Sequence, residues 1–542
     1  MISQSFDFAA HARAMRESGH WVDRYFDDIL METIAATPEK PAIVADRAGE
    51  VLRLSYAELG DRVARVAAAL RGLGIGKGDI VAIQSPNWWE FVVTALATQR
   101  IGAALNPLMP IFREHELTFM LGFAEAKVFI VPKTFAKFDF ESMANDLKAK
   151  LPKLDHVFVM GGDGDNAFEK ALMSGTERLL PDPALRAGTD DMSYLMYTSG
   201  TTGSPKGAMH SINAMMCATT NISSRMHLTA DDVIHVASPV GHMLGYAAGV
   251  MLAIRLGATM TMQDVWEGKR GVELMAREGV TYSAGATPFL LDVVETVKNG
   301  GTRPEKLRLF LCAGAPIPPA LIIRARDELQ LTVCSVWGMT ETLCSTMTEP
   351  ERAHEKSSKT DGRPTPGVAV CVIDDAGEPA PTGEIGRLMV RGSQSTLGYY
   401  RRDDLEIFDA EGWMDTGDLA FMDGEGYIRI AGRTKDVIIR GGENVPVADV
   451  ENVLYEHPGI LAVALVGYPD PRLGERGCAF VQLRPGHSLT LADVQALLED
   501  RKVAKQYWPE RVEVVETLPR TPTGKIQKFA LRDVAKAFGE PA

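Results

Sequence analysis

Residues 197–207 read Tyr-Thr-Ser-Gly-Thr-Thr-Gly-Ser-Pro-Lys-Gly and follow the largely apolar run 192–196. Nearly every residue is Gly, Ser or Thr, and one is a lysine. Such a stretch has almost no apolar side chain to bury. It supplies backbone N–H groups, hydroxyls and one ammonium, the groups that hold a polyphosphate. A flexible Gly/Ser linker would need neither the lysine nor the strand-like run before it. The pattern is not a Walker-type P-loop, because Pro205 precedes Lys206 and Gly207 follows it. Gly200, Gly203 and Gly207 permit turns closed to larger residues. Thr198, Ser199, Thr201 and Thr202 offer hydroxyls, and Lys206 adds a charge at the phosphates.

A chain of 542 residues is too long for one core, so two to four subdomains are expected. The net charge of −14 argues against nucleic acid or an anionic membrane as partner, so an anionic ligand must be held by local groups. The six cysteines are scattered without a Cys-x-x-Cys spacing, which reads as reduced thiols without a zinc site or disulfide framework. Residues 1–7 lack a basic region followed by an apolar stretch, no run is long enough to span a bilayer, and the final residues carry no retention or peroxisomal address. A cytoplasmic protein is expected.

The first fifty residues are mixed, with Trp21, Tyr25 and Phe26 read as covering an edge. Ser55 and Glu58 form a capping box that starts a helix running through Leu70. Residues 79–86 read as a buried strand and 88–99 as a second helix, an alternation that implies a parallel sheet covered on both faces. Short apolar runs at 233–237, 259–262, 307–312 and 332–336 mostly end in polar, Gly- or Pro-bearing turns. In open α/β sheets ligands bind at the carboxyl ends of strands, so these turns can converge on one cleft. From about residue 368 short alternating segments (368–373, 386–391, 419–430) point to an antiparallel β subdomain. The last ~105 residues, with helix–strand alternation at 449–456, 461–468, 478–483 and 491–498, suffice for a small α+β domain.

With these motifs in order, the chain resembles the adenylate-forming superfamily of acyl-CoA synthetases, aryl-acid adenylating enzymes, peptide-synthetase adenylation domains and beetle luciferases. The resemblance implies an α/β fold. A large N-terminal domain over 1–432 holds two αβαβα-type parallel-sheet subdomains and a β subdomain at about 368–432. A hinge at 433–436 leads to a small mobile α+β domain over 437–542. The implied reaction has two steps: a carboxylate attacks the α-phosphorus of ATP, and a thiol then displaces AMP from the acyl-adenylate.

The resemblance also assigns roles. Residues 313–316 look like the adenine turn, with Gly314, Ala315 and Pro316; alone they would read as an ordinary strand-to-helix turn. Residues 337–341, Trp-Gly-Met-Thr-Glu, are similar to the motif in which Thr340 meets the α-phosphate and Glu341 meets magnesium. Here Trp337 stands where tyrosine is commoner, so it can stack on adenine but offers an N–H, and Gly338 follows it. A carboxylate in a phosphate site needs a cation between, so Mg²⁺ is implied, with Thr198 as a further ligand. Asp418 resembles the ribose acceptor, Arg433 the second ribose contact and Ile430 part of the same nucleotide wall. Lys435 occupies the hinge. Lys525 is implied as the catalytic lysine, bridging the carboxylate and α-phosphate oxygens, and its spacing from Pro519 and Gly524 matches that of acetylated catalytic lysines. Arg440, Gly441 and Gly442 would line the tunnel for CoA, although residues 445–451 depart from the usual aromatic-Pro-x-Glu pattern.

The segment 238–249 carries no carboxylate to pair with a substrate amine, whose burial unpaired would cost several kcal/mol. A neutral acid with an apolar body follows. Its expected pocket is His242, Gly245, Tyr246, Gly249, Ser283, Ala284, Gly314, Trp337, Gly338 and Leu343, with His242 as the gate. Bacterial alicyclic (cyclohexanecarboxylate-type) and medium-chain acyl-CoA ligases are the most similar subfamily; alicyclic, aromatic and medium-chain acids stay open. The expected partners are a carboxylic acid, ATP and CoA, and a homodimer and a lysine acetyltransferase acting on Lys525 are compatible with the sequence. The alternative is an acid–AMP ligase that loads a carrier-protein thiol.

Overall fold

The Ser55 hydroxyl accepts from the Glu58 N–H while the Glu58 carboxylate accepts from the Ser55 N–H, and this reciprocal cap starts the helix Tyr56–Gly72. In the computed structural model, which describes residues 6–198, 205–314, 317–433, 437–440, 443–501, 503–521 and 524–539, that helix leads into the strand Ile80–Gln84 and the helix Trp89–Ile101. Every residue of both later elements is buried, as expected for the inside of a covered parallel sheet.

A six-stranded sheet runs in the order Lys206–His210, Tyr194–Thr198, Ala104–Leu108, Ile80–Gln84, Val128–Pro132, His156–Met160. Its pairings are parallel except the first, an antiparallel hairpin that brings Lys206 opposite Thr198. A nine-stranded sheet is parallel through its centre, where Thr332–Trp337, Leu309–Ala313, Tyr282–Ala286, Val233–Val236 and Thr259–Gln263 lie side by side. Antiparallel strands flank both ends.

The N-terminal fifty residues do more than cover an edge. The strand Pro41–Arg47 pairs in parallel with Thr259–Gln263, so the start of the chain completes the second sheet. Phe26 and Trp21 are buried, and Asp27 anchors their segment through a buried ion pair with Arg100, at 2.5 Å, joined by Arg186.

The strands Val368–Ile373, Gly386–Gly392, Met414–Met422 and Ile428–Arg433 form the expected antiparallel β subdomain. Beyond it stands the small C-terminal unit, five strands with the helices Val447–Leu454, Leu491–Asp500 and Lys528–Lys536. Its main hairpin, Ile460–Asp470 with Gly474–Leu483, extends into the polar residues around 470–476, where backbone ladder bonds continue although the apolar alternation has stopped. Among the described residues no helix is long and apolar enough to cross a membrane.

Candidate active site

The turn after Val233–Val236 and the turn after Ala104–Leu108 come from different sheets and touch: a Cβ added to Gly241 would lie 3.0 Å from the Leu108 carbonyl. Behind this contact is a small cavity of about 20 Å³, walled by Pro107, Met109, Phe112, Met196, Tyr197, Gly241, His242, Met243 and Thr340. Gln84 donates its amide to the carbonyls of Met109 (2.9 Å) and Phe112 (3.0 Å), which ties the outer turn to the end of its neighbouring strand. His242 caps the short helix Met243–Gly245, its Nδ1 accepting from the Leu244 N–H at 3.2 Å. Burial, with the charge of Lys525 adding, lowers the imidazole to about 4, so it is neutral at pH 7.

After His242 the chain forms one turn of π-helix, Tyr246–Met251, a local widening that often accompanies functional sites. Tyr246 is fully buried, Gly249 is buried, and a Cβ on Gly249 would come 3.1 Å from Val236. Gly245 is packed on the Ser238 and Pro239 carbonyls, and Ser283 donates to the His235 carbonyl at 3.2 Å. Gly245, Tyr246, Gly249, Ser283, Ala284 and Leu343 are not among the residues lining either cavity. The apolar wall at 107–112, not anticipated from sequence, lines the inner cavity with Met196 and Met243.

A larger cleft of about 1010 Å³ opens between the N-terminal domain and the C-terminal unit. Gly314, Trp337, Gly338, Asp418, Ile430 and Lys525, six of the expected nucleotide residues, all line it. Gly314 has φ +80°, in the left-handed region. A Cβ on Gly338 would fall 1.7 Å from the Leu343 oxygen, so only glycine fits. The Trp337 Nε1–H donates to Asp418 Oδ2 at 2.9 Å, and Asp418 is 4% exposed. Asp361, also on the wall and missed by sequence reasoning, accepts the Ile430 N–H at 2.8 Å. Burial pushes its carboxyl up, partly offset by Arg429 at 3.7 Å.

The phosphate end is assembled from remote segments. Residues 396–400 lie along the strand Lys206–His210, with Met209 donating to the Gly398 carbonyl at 3.0 Å and Tyr400 to that of Gly207 at 2.8 Å. This places the Tyr399 ring 5.0 Å from Lys206 Nζ and its hydroxyl 2.6 Å from Glu341 Oε1, to which it donates. Burial and the Glu341 carboxylate hold the phenol protonated. His210 bonds the Thr340 carbonyl at 2.7 Å and, lowered to about 4 by burial, serves there as a neutral N–H donor. Among the described residues no group of three or more His, Cys, Asp or Glu side chains is placed to hold a metal. Mg²⁺ is usually held by one or two carboxylates with phosphate oxygens and water, a set that Glu341 and the Thr198 hydroxyl fit.

Lys525 sits on a tight turn. Thr521 donates its N–H to the Lys525 carbonyl (2.7 Å), Lys525 donates back to the Thr521 hydroxyl (3.0 Å), and Arg520 bonds the Gly524 carbonyl (2.8 Å). The position of a Cβ on Gly524 is 3.0 Å from Pro288, so the turn rests on the N-terminal domain at the start of the helix Thr287–Lys298. That contact puts the lysine close enough to His242 to depress it. Arg440, by contrast, is paired with Glu510 at 2.6 Å and is not among the residues lining the cleft. The expectations for Ser199, Gly200, Thr201, Thr202, Gly203, Ala315, Pro316, Lys435, Gly441 and Gly442 fall outside the described residues, as does the side chain of Arg433.

The chain is similar to known proteins. Residues 30–400 match the family described as AMP-binding enzyme, and residues 449–525 match the AMP-binding enzyme C-terminal domain. A medium-chain fatty-acid–CoA ligase of Escherichia coli strain K12 is 35% identical, the match covering 96% of this chain and 92% of that protein. A salicyl-AMP ligase/salicyl-S-ArCP synthetase of Mycobacterium tuberculosis is 34% identical, covering 96% and 93%. The crystal structure of ATP-bound MatB from Rhodopseudomonas palustris superposes with a TM-score of 0.84 at 29% identity, covering 95% of this chain and all of that one.

Proposed function

The chain belongs to the AMP-binding enzyme family and is an AMP-forming acid ligase, and from that premise we propose that it joins a neutral, apolar carboxylic acid to coenzyme A. The observation that carries the reading is the meeting of Lys525, Trp337 and Asp418 on one cleft with His242 within electrostatic reach of the lysine. In the first step an acid oxygen forms a bond to the α-phosphorus of ATP and pyrophosphate leaves. Lys206 and the hydroxyls of residues 198–202 hold the β- and γ-phosphates, while Thr340 and Lys525 offset charge on the α-phosphate as it builds. Mg²⁺, with Glu341 and Thr198 as ligands, would neutralise phosphate charge. Trp337, Gly314, Ile430, Asp418 and Arg433 hold the nucleoside. In the second step a thiolate sulfur bonds the acyl carbon and AMP departs. For that step residues 433–436 act as the hinge and the turn at 440–442 replaces Lys525.

The apolar acid is supported by the inner cavity. Its wall of Met109, Phe112, Met196 and Met243 offers no carboxylate to an amine, and methionine side chains can shift to admit a ring or a chain. An alternative acceptor, a phosphopantetheine thiol on a carrier protein, is favoured by the similarity to the salicyl-S-ArCP synthetase.

A panel of alicyclic, aromatic and medium-chain acids assayed for AMP release tests the reading. AMP release that depends on free CoA is expected. Release only with a phosphopantetheinylated carrier would transfer the assignment to the alternative. Lys525→Ala should slow adenylation by ~10²–10³ if the lysine meets the transition state.

A further inference from the structure

The Trp337 side chain has a polar contact that ring stacking does not use. Its indole N–H is a donor with no acceptor function, and at 8% exposure it must find a partner inside the protein. The partner is Asp418 Oδ2 at 2.9 Å, 81 residues away, on the strand Met414–Met422 of the β subdomain. Both residues line the large cleft.

Each end of this bond is held by its own backbone. Trp337 closes its strand opposite Thr346, its carbonyl accepts from the Ser345 N–H at 3.1 Å, and Gly338 after it is locked against the Leu343 carbonyl. On the other side the Asp418 N–H donates to the Thr416 hydroxyl at 3.1 Å, which itself donates to the Leu388 carbonyl at 2.7 Å. A charge-assisted hydrogen bond from a rigid, buried indole constrains the plane of the Asp418 carboxylate.

We propose that Trp337 is a positioning residue for ribose recognition: its N–H orients the plane of the Asp418 carboxylate so that this carboxylate meets the vicinal hydroxyls of the nucleotide. The residue then sets selectivity for a ribonucleotide, apart from any stacking of its ring on the base. This rests on the assignment of Asp418 as the ribose acceptor.

Trp337→Phe keeps an aromatic ring and deletes the N–H; Trp337→Tyr, whose hydroxyl lies at the far end of a different ring, is a second variant, and thermal unfolding shows which is folded. Calorimetry with AMP, 2′-deoxy-AMP and 3′-deoxy-AMP supplies the readout. AMP is expected to lose about tenfold in Kd, the weight of one hydrogen bond to a charged group, while the deoxy nucleotides lose less than about threefold, so that the parent's preference for AMP collapses. Equal weakening of all three nucleotides would show that the ring only packs, and an unchanged preference would also overturn the proposal. Absence of AMP binding by the parent would remove the ribose site itself. Because nucleotide binding needs no acid, selectivity that collapses as expected in a protein that activates no acid would count against the ligase reading alone. Intact CoA ligation with unchanged selectivity would count against Trp337 alone.

Discussion

Glu90 lies in the first turn of the helix Trp89–Ile101, fully buried, with Arg47 Nη1 3.5 Å from its carboxylate. Burial outweighs that cation and pushes the carboxyl up to about 7 from an ordinary 4.5. Below 4.5 both folded and unfolded chains hold the proton and the group is neutral in its effect. Between 4.5 and 7 the unfolded chain releases a proton that the folded chain keeps, so stability falls with rising pH, by up to about 1.4 kcal/mol per unit; above 7 the loss is complete. Glu90→Gln, close in shape and uncharged, should melt higher than the parent at pH 8 and near it at pH 5. Equal melting shifts at both pH values would mean that the carboxyl is not protonated in the fold. Gly338 gives a second expectation. With the Leu343 oxygen 1.7 Å from the place of a Cβ, Gly338→Ala must displace backbone, and a loss of about 1–3 kcal/mol in denaturant unfolding is expected together with weaker AMP binding. Lys525 is exposed, and its acetylation should abolish adenylation by removing its charge. Full activity of the modified protein, quantified by intact mass, would refute that role.

At the scale of elements, part of the lining of the large cleft was legible because some of the expected residues end or follow a strand. Gly314, Trp337 and Gly338 follow strands of one parallel sheet, and the rule that ligands gather at carboxyl ends brings them together. Asp418 and Lys525 carried no such signal from periodicity and were found only through the whole-motif resemblance. Other residues lay beyond both routes. Tyr399 reaches Glu341 because residues 396–400 lie against Lys206–His210, a pairing of segments nearly two hundred residues apart that neither periodicity nor turn chemistry encodes. Asp361 and the 107–112 wall are likewise set by which turns face each other across two sheets. Gly245 and Gly249, expected in the acid pocket, pack closely against Pro239 and Val236. Tyr399→Phe tests the strap. It removes the donor to Glu341 and leaves the ring over Lys206, so kcat/KM for ATP should fall about tenfold, one charge-assisted hydrogen bond, with the acid KM unchanged. An equal loss on the acid side would mean that the strap holds the whole site rather than the phosphate end.

Over the whole molecule, two of the contacts between the C-terminal unit and the N-terminal domain bear on the proposed turning of that unit between half-reactions. The Gly524 turn rests on Pro288, and Arg484 reaches Glu295 at 3.3 Å, a carboxylate already paired with Arg324 at 2.8 Å. Arg484 and Glu295 are 34% and 26% exposed, so the pair is screened by water and worth at most about 1 kcal/mol. That weakness has a kinetic consequence. A latch of this size biases the arrangement that places Lys525 at the cleft without locking it, and a change in population of about twofold to fivefold is all that its loss can produce. Arg484→Glu should therefore slow pyrophosphate exchange, which reports adenylation, by about that factor or somewhat more through repulsion, and leave thiol transfer from preformed acyl-adenylate unchanged or faster. Glu295→Arg should do the same alone. Together the two reversals recreate an opposite-charge pair, although Arg324 then faces a second guanidinium in place of its carboxylate partner, which limits the recovery. Partial restoration of exchange in the double variant, beyond the product of the single effects, is the signature of direct coupling. Additive losses, or equal slowing of both half-reactions, would show that Glu295 and Arg484 contribute to the fold separately and do not govern the turn.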